Sequence, residues 1–500
     1  MTKLKLRDYY LKVLKNFQSN GLFYRYFNQK IRYKETYTLL IKIVSFIKKN
    51  SDKNVRQNIY VSCDKSYFMY VSIIAVLLTN NVWIPLSKSL PKKRVKDILK
   101  DVHPHMFIHD GIDDTKNFNK YTKKIYSFLS ISKKNLDDSK MNIDSLVDVI
   151  DFDNTAFIYF TSGSTGVSKG IKISHKNIIS NVFAQVTHLH NYLLKKKNKQ
   201  LVFGDYYDTA FSIFFDIFFP AIYLKAALSP GLKKEEILLP LDHCKKNQVN
   251  VLVAVPSTIQ RIKVYYGKKK IDHQFNTIIM TGEPFYLNVL KYLFDHFKSK
   301  RIFNCYGGTE MGNWVYYHQC KKSDLIDYKG LNLVPIGKPF SNVNTKFVNK
   351  ELVVAGPMIT LGYVNADLNY KKFIFNKNNS TFFTGDLVKK INGNLICIGR
   401  KDYQVKIRGY RIEIPFVEAK LRSVKLIDQC VVIEKKSKNY DNYLIGIIQT
   451  TNKNVTVDQI NELLKKELVN YMIPSKIILV KNLPLNSNGK IDRKKIIKEY

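Results

Sequence analysis

From the N-terminus to about residue 400, short apolar runs alternate with longer segments of helical period. The runs AFIYF at 156–160, VLVAV at 251–255 and TIIM at 277–280 each end in a polar, Gly or Pro turn, which predicts buried strands. After Ser174, a predicted N-cap, Ile178, Ile179, Val182, Phe183, Val186 and Leu189 recur at helical spacing. That alternation predicts a large N-terminal layered α/β domain.

The pattern changes toward the C-terminus. Asn392-Gly393 lies between Leu387-Val388 and an apolar run at 395–398, which predicts a hairpin with a type I′ turn. The polar break Gly399-Arg400-Lys401-Asp402 follows. Beyond it come two short strands, 429–433 and 443–448, and one helix. That helix opens on a capping box from Thr456 to Gln459 and buries Ile460, Leu463, Leu464 and Leu468. We therefore expect two domains, 1–400 and a small α+β domain at 401–500. No internal repeat and no long Gly/Ser or Pro-rich linker separates them.

Composition narrows the function classes. Five hundred residues exceed one hydrophobic core, and 45% hydrophobic with 13% aromatic residues is ample to fill two. The formal charge of +40, from 81 Lys and Arg against 41 Asp and Glu, would suit a polyanionic partner. However, the basic residues are dispersed, and Lys, Asn, Ile, Tyr and Phe are abundant together, as A/T-rich codons would dictate. The tightest clusters, Lys195, Lys196, Lys197 and Lys199, then Lys268, Lys269 and Lys270, sit between apolar segments as solvated loops do. No basic stripe with a readable motif supports a nucleic-acid partner.

Six cysteines carry no CxxC or zinc spacing and imply no disulfide framework. The N-terminus lacks the apolar core and cleavage site of a signal peptide. The most apolar stretch, 210–228, contains Asp216, Pro220 and Lys225, so a buried helix is expected there rather than a membrane span. The cytoplasm is the default compartment.

Directly after AFIYF comes TSGSTGVSKG at 161–170. Its glycines permit close backbone approach, and successive N–H groups with the hydroxyls of Thr161, Ser162, Ser164 and Thr165 can wrap phosphate oxygens. Lys169 adds a positive charge. The Walker spacing is not met, and a bare Gly/Ser/Thr loop serves equally as a flexible connector. The longer string YFTSGSTGVSKGIKISHKN, however, resembles the phosphate loop of the adenylate-forming superfamily: acyl-CoA synthetases, luciferases and adenylation domains of nonribosomal peptide synthetases. Further segments agree in order along nearly the whole chain. They are Trp83-Ile-Pro-Leu86 with Pro91 and Arg94, Val255-Pro-Ser257, Gly282-Glu-Pro284, Asn304-Cys-Tyr306-Gly-Gly-Thr-Glu310 and Gly337-Lys-Pro339. After these come Gly356-Pro357, Leu361-Gly-Tyr363, Thr384-Gly-Asp386, GRKD at 399–402, VKIRGYRIE at 405–413 and PLNSNGKIDR at 484–493. The short form of each motif looks most like stand-alone amino-acid adenylation proteins, the group containing D-alanine–carrier-protein ligase.

The resemblance implies a fold and a site. The large domain would carry a β-rich subdomain, and the small domain would be mobile. ATP would be held by Thr161, Ser162, Gly163, Ser164, Thr165, Gly166, Lys169, Asn304, Tyr306, Thr309, Asp386, Arg400 and Lys490. Within that set, Tyr306 would stack on adenine, Thr309 would bond the α-phosphate, and Asp386 would offer two acceptor oxygens to the ribose diol. Glu310 would bind Mg²⁺, a hard cation suited to carboxylate and phosphate oxygens. Lys490 would be the key catalytic residue, beside Thr309 and Glu310, stabilising the anionic transition state. Asp402 would be the hinge on which the small domain turns between half-reactions. The carboxylic acid would lie against Phe211, Ser212, Phe215, Gly282, Cys305, Asn313 and Trp314.

Two positions depart from the pattern. An ungapped reading puts Phe211 where relatives that take α-amino acids carry an aspartate for the ammonium. Either Asp208 or Asp216 supplies the counter-charge by a shifted alignment, or the acid is not an ordinary α-amino acid. Gly308 replaces a usual proline and removes no functional group. The expected activity is ATP-dependent acyl-adenylate formation, then transfer to the phosphopantetheine thiol of a carrier protein acting in trans. Free coenzyme A is the alternative acceptor, and a catalytically inactive homologue or a basic nucleic-acid-binding protein the alternative of another class.

Overall fold

In the computed structural model, described for residues 3–52, 55–62, 64–86, 92–111, 118–133, 144–161, 169–191, 200–376, 379–401, 404–424, 426–437, 442–450, 455–484 and 491–500, the chain divides into two units. The larger comprises Met1–Lys88, Asp101–Tyr159 and Gly170–Gly399. The smaller comprises Ser89–Lys100, Phe160–Lys169 and Arg400–Tyr500.

Among the described residues, a nine-stranded sheet and a six-stranded sheet carry most of the strands before residue 340. The expected runs appear in them as the strands Thr155–Thr161, Val251–Ala254 and Thr277–Met280. In the larger sheet Ala227–Pro230, Val202–Asp205, Val251–Ala254, Thr277–Met280 and Ile302–Gly308 lie side by side and parallel. Val251–Ala254 and Thr277–Met280 are buried at every position, which is why they read as apolar runs. A five-stranded sheet with antiparallel pairing over 344–400 forms the β-rich part. The turn between Ser380–Ile391 and Asn394–Arg400 has positive φ at Asn392 (49°) and Gly393 (76°), as a type I′ hairpin requires.

The apolar stretch 210–228 forms the helix Ser212–Tyr223. It connects two neighbouring parallel strands and is buried throughout 214–222. Apolar residues all round it match that burial. Phe214 stacks on Phe218 at 5.2 Å, and Phe215 packs against Phe157 at 5.8 Å. Each ring contributes ~2–3 kcal/mol through burial. The helix His175–Gln185 begins at Ser174, whose side chain accepts from the Asn177 N–H in a capping box. It then widens to a π-helix over Val186–His190, so the expected periodicity persists while the turn loosens.

The smaller unit has a three-stranded sheet containing Gln429–Lys436 and Asn442–Gln449, and the helix Val457–Glu467 with its Thr456 capping box. Ile460 and Leu464 are buried there, and Leu463 is half-buried. Lys268, Lys269 and Lys270 are exposed, whereas the cluster at 195–199 lies outside the described residues. No described helix is long and apolar enough to cross a membrane.

Two histidines in the larger unit make stability pH-dependent. His175 accepts or donates one hydrogen bond with the Tyr10 hydroxyl at 2.6 Å, and among the described residues its Nε2 has no partner. His190 has no partner on either ring nitrogen among the described residues. Burial, reinforced at His175 by the nearby Arg56 charge, lowers both to about 3. Both stay neutral in the folded chain, while the unfolded chain takes up protons near 6.5. Their contribution is therefore complete above that pH and is lost as pH falls, at ~1.4 kcal/mol per pH unit for each histidine. Urea unfolding at neutral pH and near pH 5 should show this loss, and His190→Phe should remove about half of its slope. A midpoint that does not move with pH would contradict it.

Candidate active site

The parallel strand Ile302–Gly308 ends in the short helical turn Thr309–Met311 and returns antiparallel as Asn313–Gln319. The reversal is tight enough that two glycines are required. A Cβ on Gly307 would strike the Asn313 carbonyl, and one on Gly312 (φ 69°) would strike the Met358 carbonyl. Thr309 and Glu310 are thus presented at the carboxyl edge of the parallel strands, where open α/β sheets bind ligands.

Glu310 is 2% exposed and is held from two sides. Its Oε1 accepts from the Tyr363 hydroxyl at 3.0 Å, and its backbone carbonyl accepts from Thr360 Oγ1 at 3.0 Å. One buried carboxylate fits a Mg²⁺ ion that takes its remaining ligands from phosphate oxygens and water. Among the described residues, no cluster of three or more His, Cys, Asp or Glu forms a complete protein cage for a metal.

Tyr306 and Asp386, 80 positions apart, meet here. The Tyr306 hydroxyl donates to Asp386 Oδ2, joining the nine-stranded sheet to the β-rich part. Burial, then the Asp386 charge, raises the Tyr306 phenol well above its usual range, so it remains a neutral donor. Asp386 N–H donates to Thr384 Oγ1 at 3.0 Å, and the Gly385 N–H (φ 75°) donates to Glu351 at 2.8 Å. A ribose would meet a carboxylate already aligned by tyrosine. Asn304 donates to the carbonyls of Val334 and Pro335 at 3.3 and 2.8 Å, which orients its amide.

Toward the acid side, Phe211 is the N-cap of its helix and makes no side-chain cap bond. Ser212 follows as the first helical residue. Asp208 is engaged locally, its Oδ1 accepting from the Ala210 N–H at 2.9 Å. Phe215, Cys305, Asn313 and Trp314 are all buried, and Trp314 Nε1 donates to Thr281 Oγ1 at 2.8 Å. Gly282 follows with φ 83°, in a turn anchored by Glu283 on the N–H and Oγ of Ser257.

In the smaller unit, Thr161 Oγ1 reaches the Lys169 carbonyl at 3.5 Å. Lys169 Nζ pairs with Glu413 Oε1 at 3.1 Å, with both side chains largely buried. Arg400 is half-buried at the end of its strand. Ser162, Gly163, Ser164, Thr165, Gly166, Asp402 and Lys490 lie outside the described residues, as do Pro91 and the Arg94 side chain.

Several contributors went unread in the sequence. Asn177, Asn181 and Gln185 are spaced by four along one helix, and all three are buried. Asn177 donates to the carbonyls of Pro357 and Ile359, and Asn181 to those of Gly312 and Trp314. The amide spacing itself was the available signal.

Comparison with known proteins agrees with this geometry. The family model for the AMP-binding enzyme matches residues 16–364, and that for the AMP-binding enzyme C-terminal domain matches 417–490. The chain is 30% identical over 448 residues to D-alanine–D-alanyl carrier protein ligase of Staphylococcus aureus (strain Newman), covering 86% of this chain and 87% of that protein. It is 28% identical over 504 residues to gramicidin S synthase 2 of Brevibacillus brevis, covering 94% of this chain but only 10% of that protein's length. Its fold is similar to that of the Vibrio cholerae adenylation domain AlmE in complex with glycyl-adenosine-5'-phosphate. That match has a TM-score of 0.81 and 19% identity, covering 98% of this chain and 97% of that one. With the first model spanning more than half its length, the chain belongs to the AMP-binding enzyme family and has the adenylate-forming fold.

Proposed function

We propose that the protein activates a carboxylic acid with ATP and passes the acyl group to the phosphopantetheine thiol of a carrier protein in trans. The observation that carries this reading is the arrangement around the 309–311 turn. There Tyr306 and the buried Cys305, Asn313 and Trp314 lie along one strand pair, the buried Glu310 sits in the turn between its strands, and Asp386 of the β-rich part bonds Tyr306. The 30% identity to a ligase named for a carrier protein supports the carrier as acceptor over free coenzyme A.

In the first half-reaction, an acid oxygen attacks the α-phosphorus while its bond to the β-phosphate bridging oxygen breaks and pyrophosphate leaves. Tyr306 and Asp386 orient adenine and ribose, and Thr309 bonds the α-phosphate, so the attack becomes effectively unimolecular. Glu310 would hold Mg²⁺, which would supply charge neutralisation for the phosphates. Lys490 places its ammonium between carboxylate and phosphate. In the second half-reaction, the carrier thiol attacks the acyl carbon, AMP leaves, and the thiol proton passes to solvent. The small domain, 401–500, turns about Asp402 between the two steps.

Three outcomes check this reading. Tyr306→Phe removes one hydrogen bond to a buried carboxylate and should raise the KM for ATP about tenfold with kcat nearly kept. Lys490→Ala should slow adenylate formation, read as acid-dependent ATP–pyrophosphate exchange, by at least ~100-fold. Transfer from a supplied adenylate should survive in that variant, and equal loss of both half-reactions would contradict the role of Lys490. Asp402→Pro restricts the pivot and should spare exchange while slowing thioester formation on the carrier. Unchanged transfer would count against the hinge.

A further inference from the structure

The segment 357–364 is bonded to two parts of the site at once. One is the strand Lys169–Ser174, which leaves the phosphate-loop string, together with the helix that follows it. Leu361 N–H donates to the Lys172 carbonyl and Lys172 N–H to the Gly362 carbonyl, both at 2.9 Å, and Val364 N–H donates to the Gly170 carbonyl at 2.7 Å. Ile171 and Tyr363 are partners in this antiparallel bridge. Asn177 adds bonds to the carbonyls of Pro357 and Ile359, at 2.9 Å each. The other part is Glu310. Thr360 donates to the Glu310 carbonyl through its N–H at 3.3 Å and its Oγ1 at 3.0 Å. The Tyr363 hydroxyl donates to Glu310 Oε1, also at 3.0 Å.

Tyr363 is itself fixed. It is buried, its N–H donates to Asn369 Oδ1 at 2.9 Å, and its ring packs edge-on against Phe373 at 5.6 Å. A Cβ on Gly362 (φ 81°) would lie 2.5 Å from Asn369 Oδ1 and 2.7 Å from the Phe375 ring, so the backbone before the tyrosine requires glycine. Packing around the ring therefore places the hydroxyl, independently of the carboxylate it meets. A glutamate side chain otherwise rotates about three bonds, and a metal ligand held in one orientation by a neighbouring donor binds more tightly than a loose one. A phenol hydroxyl suits that task, since it donates one bond and brings no charge to compete with a cation.

We propose that Tyr363 is a positioning residue: its hydroxyl fixes the Glu310 carboxylate in the orientation that takes up Mg²⁺, and the segment 357–364 ties that orientation to the phosphate-loop strand. The proposal rests on the adenylation reading above, in which Glu310 would bind the cation that accompanies ATP.

The test is isothermal titration calorimetry of the full chain with α,β-methylene-ATP, which cannot transfer its adenylyl group, in excess Mg²⁺ and in EDTA. The unsubstituted protein should bind more tightly with Mg²⁺. Tyr363→Phe should weaken binding about tenfold with Mg²⁺ and by less than about twofold in EDTA. In a Glu310→Gln background the same substitution should change the Mg²⁺ value by less than about twofold, because the group through which it acts is gone. Equal weakening with and without the metal, as loss of the fold would produce, overturns the positioning role. So does an unchanged affinity, or a Mg²⁺-specific effect that persists in Glu310→Gln. Binding to the unsubstituted protein that is indifferent to Mg²⁺ overturns it too but leaves the adenylation reading standing. No nucleotide binding in either condition overturns both.

Discussion

The site depends on a row of buried amides reading outward from one helix. Asn177, Asn181 and Gln185 lie on one face of His175–Gln185 and grip, in order, the carbonyls at 357 and 359, those at 312 and 314, and the Asp216 carboxylate. Each net bond is worth only ~1 kcal/mol, but a buried carbonyl deprived of its donor costs up to ~3 kcal/mol. The tight reversal that presents Thr309 and Glu310 would otherwise expose its carbonyls to an apolar interior. With the amides in place, the loop is as well determined as a strand. Tyr363 and Thr360 complete the support from the other side, touching the side chain and backbone of Glu310.

That support explains why a chain with a formal charge of +40 builds its site from acids. Asp386, Glu310 and Asp216 are each 5% exposed or less, while the surplus lysines are mostly carried on the surface. Tyrosine hydroxyls donate to two of the three and an amide to the third, each orienting a carboxyl oxygen. An incoming cation or hydroxyl therefore meets acceptors already aimed, which is the condition for binding energy to go into geometry rather than reorganisation.

Local signals carried much of the fold. Ser174 and Thr456 cap their helices as their neighbours dictate, and Asn392-Gly393 turns as that dipeptide must, because these choices are settled within a few residues. What escaped is what joins distant elements. The Tyr306–Asp386 bond spans 80 positions and leaves no periodicity. The widening to a π-helix at Val186–His190 also escaped, since apolar spacing looks alike in both helical forms. Asp208 and Asp216 were equivalent by sequence. Structure separates them, because Asp208 is engaged by the Ala210 N–H beside it while Asp216 accepts from the Gln185 amide of another helix.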